Sequence, residues 1–178
     1  TLVFVTLLFA AAAGCGSSED QSGATVAATT GIWADVTEQV AGEDASVEQV
    51  IPDATSPHEF QLSAEDRATI EDSLLLVYNG ADLEAGIPID EIDVPKFAVA
   101  DHVGQLLPFE EAGEHVEGEE EEHAESGLDP HVWMDPSRVA AALPALADAL
   151  AEADPDHANG YRSRAESYAA ELTALDAE

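Results

Sequence analysis

Leu74-Leu75-Leu76-Val77-Tyr78-Asn79-Gly80 is a continuous apolar run closed by a turn signal, in a chain of 178 residues. Strict alternation of apolar and polar residues would mark a strand with one wet face. An uninterrupted run marks a strand covered on both faces, the condition of a central strand in a parallel sheet. Asn79-Gly80 turns the chain out of it. Working outward, residues 25–30 (TVAATT), 46–51 and 96–100 (KFAVA) read as further short strands. Between them, residues 31–41 form a helical pattern with Ile32, Val36 and Val40 on one face. Ser63, with Asp66 three residues on, makes a capping-box start for a second helix. Residues 82–93 contain Gly86 and Pro88, so any helix there is short, and a brief helical piece is expected through Leu106-Leu107. Strands alternating with helices predict a right-handed α/β unit on a parallel sheet, with ligands bound beyond the carboxyl ends of the strands.

The second half is helical. Asp135 reads as an N-cap with Pro136 at the first helical position, followed by the stripe Val139, Leu143, Leu146 and Leu150. Pro144 falls inside that helix and is expected to kink it or forfeit a hydrogen bond, at about 3 kcal/mol if uncompensated. Asp154-Pro155 restarts a helix by the same cap logic. Its stripe of Tyr161, Ala165, Tyr168, Leu172 and Leu175 is one-sided and still running at Glu178, which implies a packing partner elsewhere. With no initiator methionine, the sequence is expected to be a fragment of a longer chain.

The net charge is -33, from 38 acids against 5 bases, and it repels nucleic acid and anionic lipid surfaces. It suits a cation-handling protein, or an organism whose exported proteins are generally acidic. A hydrophobic content of 46% argues against wholesale disorder. The single cysteine, Cys15, excludes an internal disulfide. It follows an apolar run over residues 2–13, of signal-peptide length and too short to span a bilayer. Residues 1–15 resemble a signal peptide with a bacterial lipobox, although Ala12 stands where leucine is usual and a basic n-region is missing. Acylation at Cys15 would tether the domain to a membrane through residues 16–24, a small, polar, flexible linker.

Histidines carry the candidate chemistry. His58, in the loop Ser56-Pro57-His58-Glu59-Phe60, and His131, between two Asp-Pro steps in Gly127-Leu128-Asp129-Pro130-His131-Val132-Trp133-Met134-Asp135-Pro136, each follow a proline and precede a helix start. Proline stiffens each loop, which suits a metal ligand; an ordinary loop histidine beside a core tryptophan is the competing reading of His131. His102 is expected to be structural and His157 a surface residue. Residues 108–126 are different in kind, packing Glu119, Glu120, Glu121 and Glu122 among further acids, with His115 and His123 between them. This is either a solvated acidic insert or a loop that gathers cations, the histidines adding some preference for borderline transition ions. No HExxH, GxSxG, P-loop or GxGxxG motif is present, so an enzyme is disfavoured, with metal-dependent hydrolysis by carboxylates the surviving alternative.

The conjunction of a lipobox, SPHEF before a capped helix, LLLVYNGADLE, an acidic histidine-containing loop and DPHVWMDP resembles the zinc/manganese-type solute-binding proteins of metal ABC importers. Ser56, where aspartate is common, Leu62, where proline is common, the compressed 82–93 segment and Pro144 depart from the family pattern. The resemblance implies the N-terminal lobe of a two-lobed α/β metal-binding protein, over residues 25–154, with residues 155–178 starting the long inter-lobe helix and the second lobe absent. It implies His58 and His131 as metal ligands, Zn²⁺ as the captured ion with Mn²⁺ the alternative, and an extracytoplasmic, lipid-anchored monomer that delivers its ion to a permease and its ATPase. An iron-specific binder or an adhesin of the same fold would share these features. Imidazole protonation competes with metal, so affinity is expected to fall as pH drops through the histidine range.

Overall fold

The computed structural model describes residues 24–108 and 127–177. Strands β1 (Ala24–Ala28), β2 (Ala45–Gln49), β3 (Leu75–Tyr78) and β4 (Lys96–Ala98) form one parallel sheet in the order β2-β1-β3-β4. In register, Val26 lies between Val47 and Leu75, and Val77 pairs with Phe97. The apolar run behaves as a doubly covered strand must, because successive side chains serve opposite faces. Leu75 and Val77 enter a core with helices α1 (Gly31–Ala41), α3 (Pro136–Ala153) and α4 (Ala158–Asp176). Leu76 enters a smaller core on the other face, with Ile70 of α2 (Ala64–Glu71), Ile87 and Ile92. Among the described residues, no helix is long and apolar enough to cross a membrane.

Several local expectations hold and several shift. Ser63 and Asp66 form the capping box, with Asp66 N donating to Ser63 Oγ at 3.1 Å and Ser63 N to Asp66 Oδ2 at 3.0 Å. In α1 the buried face is Trp33, Val36, Thr37 and Val40, whereas Ile32 is 41% exposed. Val36 and Val40 are buried as expected, Trp33 takes the inward position in place of Ile32, and Thr30 caps the helix through the Trp33 amide. The helical turn after β4 is a 3-10 segment at Val99–His102, not a piece through Leu106-Leu107. Leu107 instead offers its carbonyl to the Asp129 amide at 2.8 Å, beside an antiparallel bridge between Pro108 and Leu128. Helix α3 continues through Pro144, which lies on its exposed side while Leu143, Leu146, Ala147 and Leu150 are buried.

Asp154 ends α3 but makes no side-chain cap for the turn that follows. Its carboxylate accepts from His157 Nδ1 and from the Tyr161 hydroxyl, both at 2.7 Å. Burial and that carboxylate push the Tyr161 phenol well above its usual range. One turn on, Arg164 donates to the Val40 and Ala41 carbonyls at 2.7 Å and pairs with Asp44 at 2.6 Å. These carbonyls end α1 and have no partner within it, so Arg164 acts as its cap and docks α4 against it. Along α4, Tyr161 and Ala165 are buried, Tyr168 and Leu172 are half-buried, and Leu175 is 57% exposed.

His157 is exposed, as expected for a surface residue, yet it is paired. The hydrogen bond to Asp154 and the charges of Asp154, Asp44 and Asp156 raise its pKa. A value raised in the folded state adds stability below the unfolded pKa, about 6.5, and that stability is lost as pH rises through the folded value. Thermal melts of wild type and His157→Asn should therefore differ most at about pH 5.5 and converge by about pH 8.5. A gap that stays constant over that span would exclude this linkage.

Candidate metal centre

The carboxyl ends of β1 and β3 lie side by side and carry one hydrogen-bonded cluster. Thr29 follows β1 and donates to Glu84 Oε1 at 2.7 Å. Asn79 follows β3, and its amide donates to the same oxygen at 2.8 Å, while Gly80 N donates to Glu84 Oε2 at 3.1 Å. Glu84 is 4% exposed. Burial pushes its carboxyl above the usual carboxylate range, and the three donors draw it partway back. The turn it closes is left-handed at successive residues, with φ of 77° at Gly80, 50° at Ala81 and 61° at Asp82. Only Gly80 takes that conformation without steric cost.

Asn79 extends the cluster to the His131 loop. Its Oδ1 accepts from Trp33 Nε1 at 3.1 Å, and its Nδ2 donates to Gly80 O at 2.8 Å and to Pro130 O at 2.9 Å. Pro130 O belongs to the peptide bond that precedes His131. On the other side, Asp129 Oδ1 accepts from His131 N at 2.9 Å and lies 2.7 Å from His131 Nδ1. The His131 amide, and after it the imidazole, hold the Asp129 carboxyl below its usual range. An ionised carboxylate can only accept, so in this contact Nδ1 is the donor. The His131 ring meets Trp133 edge-on at 5.2 Å, and Trp133 meets Trp33 edge-on at 6.4 Å. Asp135 serves as an N-cap, accepting from Ser137 N at 2.9 Å and Arg138 N at 3.3 Å. Met134 beside it is 76% exposed.

His58 is half-buried in the loop after β2. Gly86 abuts this loop: a Cβ there would overlap the Phe60 carbonyl oxygen and lie 3.6 Å from the His58 carbonyl oxygen. Residues 79–86 thus touch the backbone of both histidine loops, at Pro130 through Asn79 and at Phe60 through Gly86. Gly86→Ala must push the His58 loop aside, and it should lower metal affinity by about tenfold, as displaced supporting residues do. Chelator competition would show it, and wild-type affinity in the variant would mean that the loop shift does not reach the site.

His102 stacks on Phe97, with ring centroids 4.7 Å apart and planes 5° from parallel, which makes it structural. Among the described residues, no group of three or more His, Cys, Asp and Glu side chains is arranged to hold a metal ion. Cys15, His115, His123, Glu119, Glu120, Glu121 and Glu122 lie outside the described residues. Sequence reasoning missed Asn79 and Glu84. The available signal was Asn79-Gly80 at the end of a buried strand with an acid a few residues on, where the amides leaving the strand need an acceptor.

The chain is similar to proteins whose names describe them as metal-binding. The family described as zinc-uptake complex component A, periplasmic, matches residues 26–178. The zinc-binding lipoprotein AdcA of Streptococcus pneumoniae is 36% identical over 146 residues, covering 79% of this chain and 29% of that protein. The manganese-binding lipoprotein MntA of Halalkalibacterium halodurans is 32% identical over 182 residues, covering 97% of this chain and 56% of that protein. The crystal structure of Zn(II)-bound AdcA from Streptococcus pneumoniae superposes with a TM-score of 0.70 at 28% identity, covering 86% of this chain and 31% of that chain. The chain therefore spans between 29% and 56% of the length of these curated relatives.

Proposed function

Because the chain belongs to the zinc-uptake complex component A family, we propose that the protein captures a divalent transition-metal ion outside the cytoplasmic membrane and passes it to a permease driven by its ATPase. His58 and His131 are the ligands that this part of the protein contributes. The observation that supports this reading is the His131 loop: Asp129 Oδ1 lies 2.7 Å from Nδ1 of a half-buried ring, on a loop that the end of the sheet holds through Asn79 and Pro130 O. Neutral imidazole suits zinc. Zinc is favoured by the family description and by AdcA, named as zinc-binding. Manganese is the second reading, favoured by MntA, named as manganese-binding and similar over nearly the whole chain.

Two histidines do not complete a zinc site, which takes four ligands or three and a water. The remaining ligands come from a second lobe, with α4 as the start of the connecting helix; the half-exposed stripe of Tyr168, Leu172 and Leu175 supports this. The mature protein is a monomer held at the membrane by acylated Cys15. Competition calorimetry of the full-length protein with zinc and manganese tests the reading. Tight binding of either ion, lost in His58→Ala, is the expected result, and binding of neither would end it.

The acidic segment gathers ions for this site without ligating them there. Deleting residues 109–126 should slow loading at low metal and leave the equilibrium affinity nearly unchanged, measured by stopped-flow release of a chelator dye. A collapse of affinity would instead make the segment a source of ligands.

A further inference from the structure

We infer that Asn79 is a positioning residue for the metal site, acting through the Pro130 carbonyl to fix the His131 imidazole. The inference rests on the proposed role of His131 as a ligand. Every polar group of Asn79 is engaged. Its amide donates to Glu84, its carbonyl accepts from Ala100 N at 2.8 Å, and its side chain holds Trp33, Gly80 and Pro130. Asn79 itself is fully buried. The amide orientation is unambiguous, because Trp33 Nε1 can only donate and Pro130 O can only accept. No other side chain of this size donates and accepts in opposite directions: aspartate lacks the donor, and leucine lacks both.

The bond to Pro130 O has a directional consequence. A histidine on a loop has freedom in its own χ angles and in the peptide that carries it. Asp129 restrains the ring and the His131 amide, and Asn79 restrains the preceding carbonyl. Asn79 is in turn immobilised by β3, by the Glu84 carboxylate and by an indole that is itself in the core. Through this route the sheet, and not the loop alone, determines where Nε2 points. Supporting groups of this kind change metal affinity by about 10–100-fold when removed.

Asn79→Ala in the full-length protein tests this with zinc in chelator competition and with Co²⁺ as a visible-spectrum reporter of ligand geometry. Zinc affinity should fall at least about tenfold, with a shifted Co²⁺ absorption envelope, while the metal-free variant still melts cooperatively. A folded Asn79→Ala with zinc affinity within about twofold of wild type would overturn the inference. So would weakened binding with an unchanged Co²⁺ spectrum, since that separates stability from ligand geometry. If Asn79→Ala does not fold, Trp33→Phe is judged by the same two readouts, because it keeps an aromatic ring in the core and removes, with the pyrrole half of the indole, the N–H that holds Asn79 Oδ1. A wild-type protein that binds no zinc would instead refute the proposed function, a distinct result.

Discussion

Replacing His131 with alanine should lower the zinc affinity of the full-length protein by about 10²–10³-fold. Protein zinc sites bind with about 10–16 kcal/mol, shared among about four ligands. One ligand therefore contributes roughly 3–4 kcal/mol, and each 1.4 kcal/mol is tenfold. Folding should be nearly untouched, because the ring is half-exposed and its bonds to Asp129 are local. Chelator competition reads the affinity, and a melt of the metal-free protein reads the fold. Unchanged affinity in a folded variant would remove His131 from the site and leave it the loop histidine of the competing reading.

Glu84→Ala should have the largest effect on stability. It strips the acceptor from Thr29 Oγ1 and Asn79 N, both buried, and from the half-buried Gly80 N. A buried donor left unpaired costs about 1–3 kcal/mol, and the turn at Gly80, Ala81 and Asp82 loses what holds it left-handed. Against this, removing a buried charge recovers its desolvation cost, the same cost that raises the Glu84 pKa. Unpaired donors outweigh the recovery, and a net loss of about 3 kcal/mol follows. For a chain of this size that lowers the melting temperature by roughly 10 °C. Glu84→Gln keeps one acceptor oxygen and should lose about half as much. Melts of Glu84→Ala at or above wild type would show that the carboxylate is a burden on the fold.

The sheet was legible because its signal is local. Leu75, Leu76 and Val77 are apolar without interruption, and covering both faces is the only arrangement that buries all of them. The caps at Ser63 and Asp135 were legible for the same reason, each depending on residues within one turn. Asp154 was read correctly as a boundary and wrongly as a side-chain cap. Tyr161 and His157 compete for its oxygens, and that competition depends on where α4 packs. The shift from Ile32 to Trp33 has a similar origin, since the helix period alone leaves the phase open by one residue.

The candidate site divides along the same line. His58 and His131 stood out because proline marks their loops. Glu84 looked like one acid among many in a chain of net charge -33, and nothing local distinguishes a carboxylate that folds back under a turn from one in water. Asn79 was recognised as a turn residue, but its reach to Pro130 spans 51 residues and exists only once the sheet is assembled.

The junction between Leu107 and Asp129 has a consequence for His131. The amide–carbonyl bond and the Pro108–Leu128 bridge pin together the two points where residues 109–126 leave and rejoin the lobe. Because the entry and exit points are tied to each other, and His131 is held by Asp129 and, through Pro130 O, by Asn79, the position of the histidine is set by the lobe and not by the sequence inserted before it.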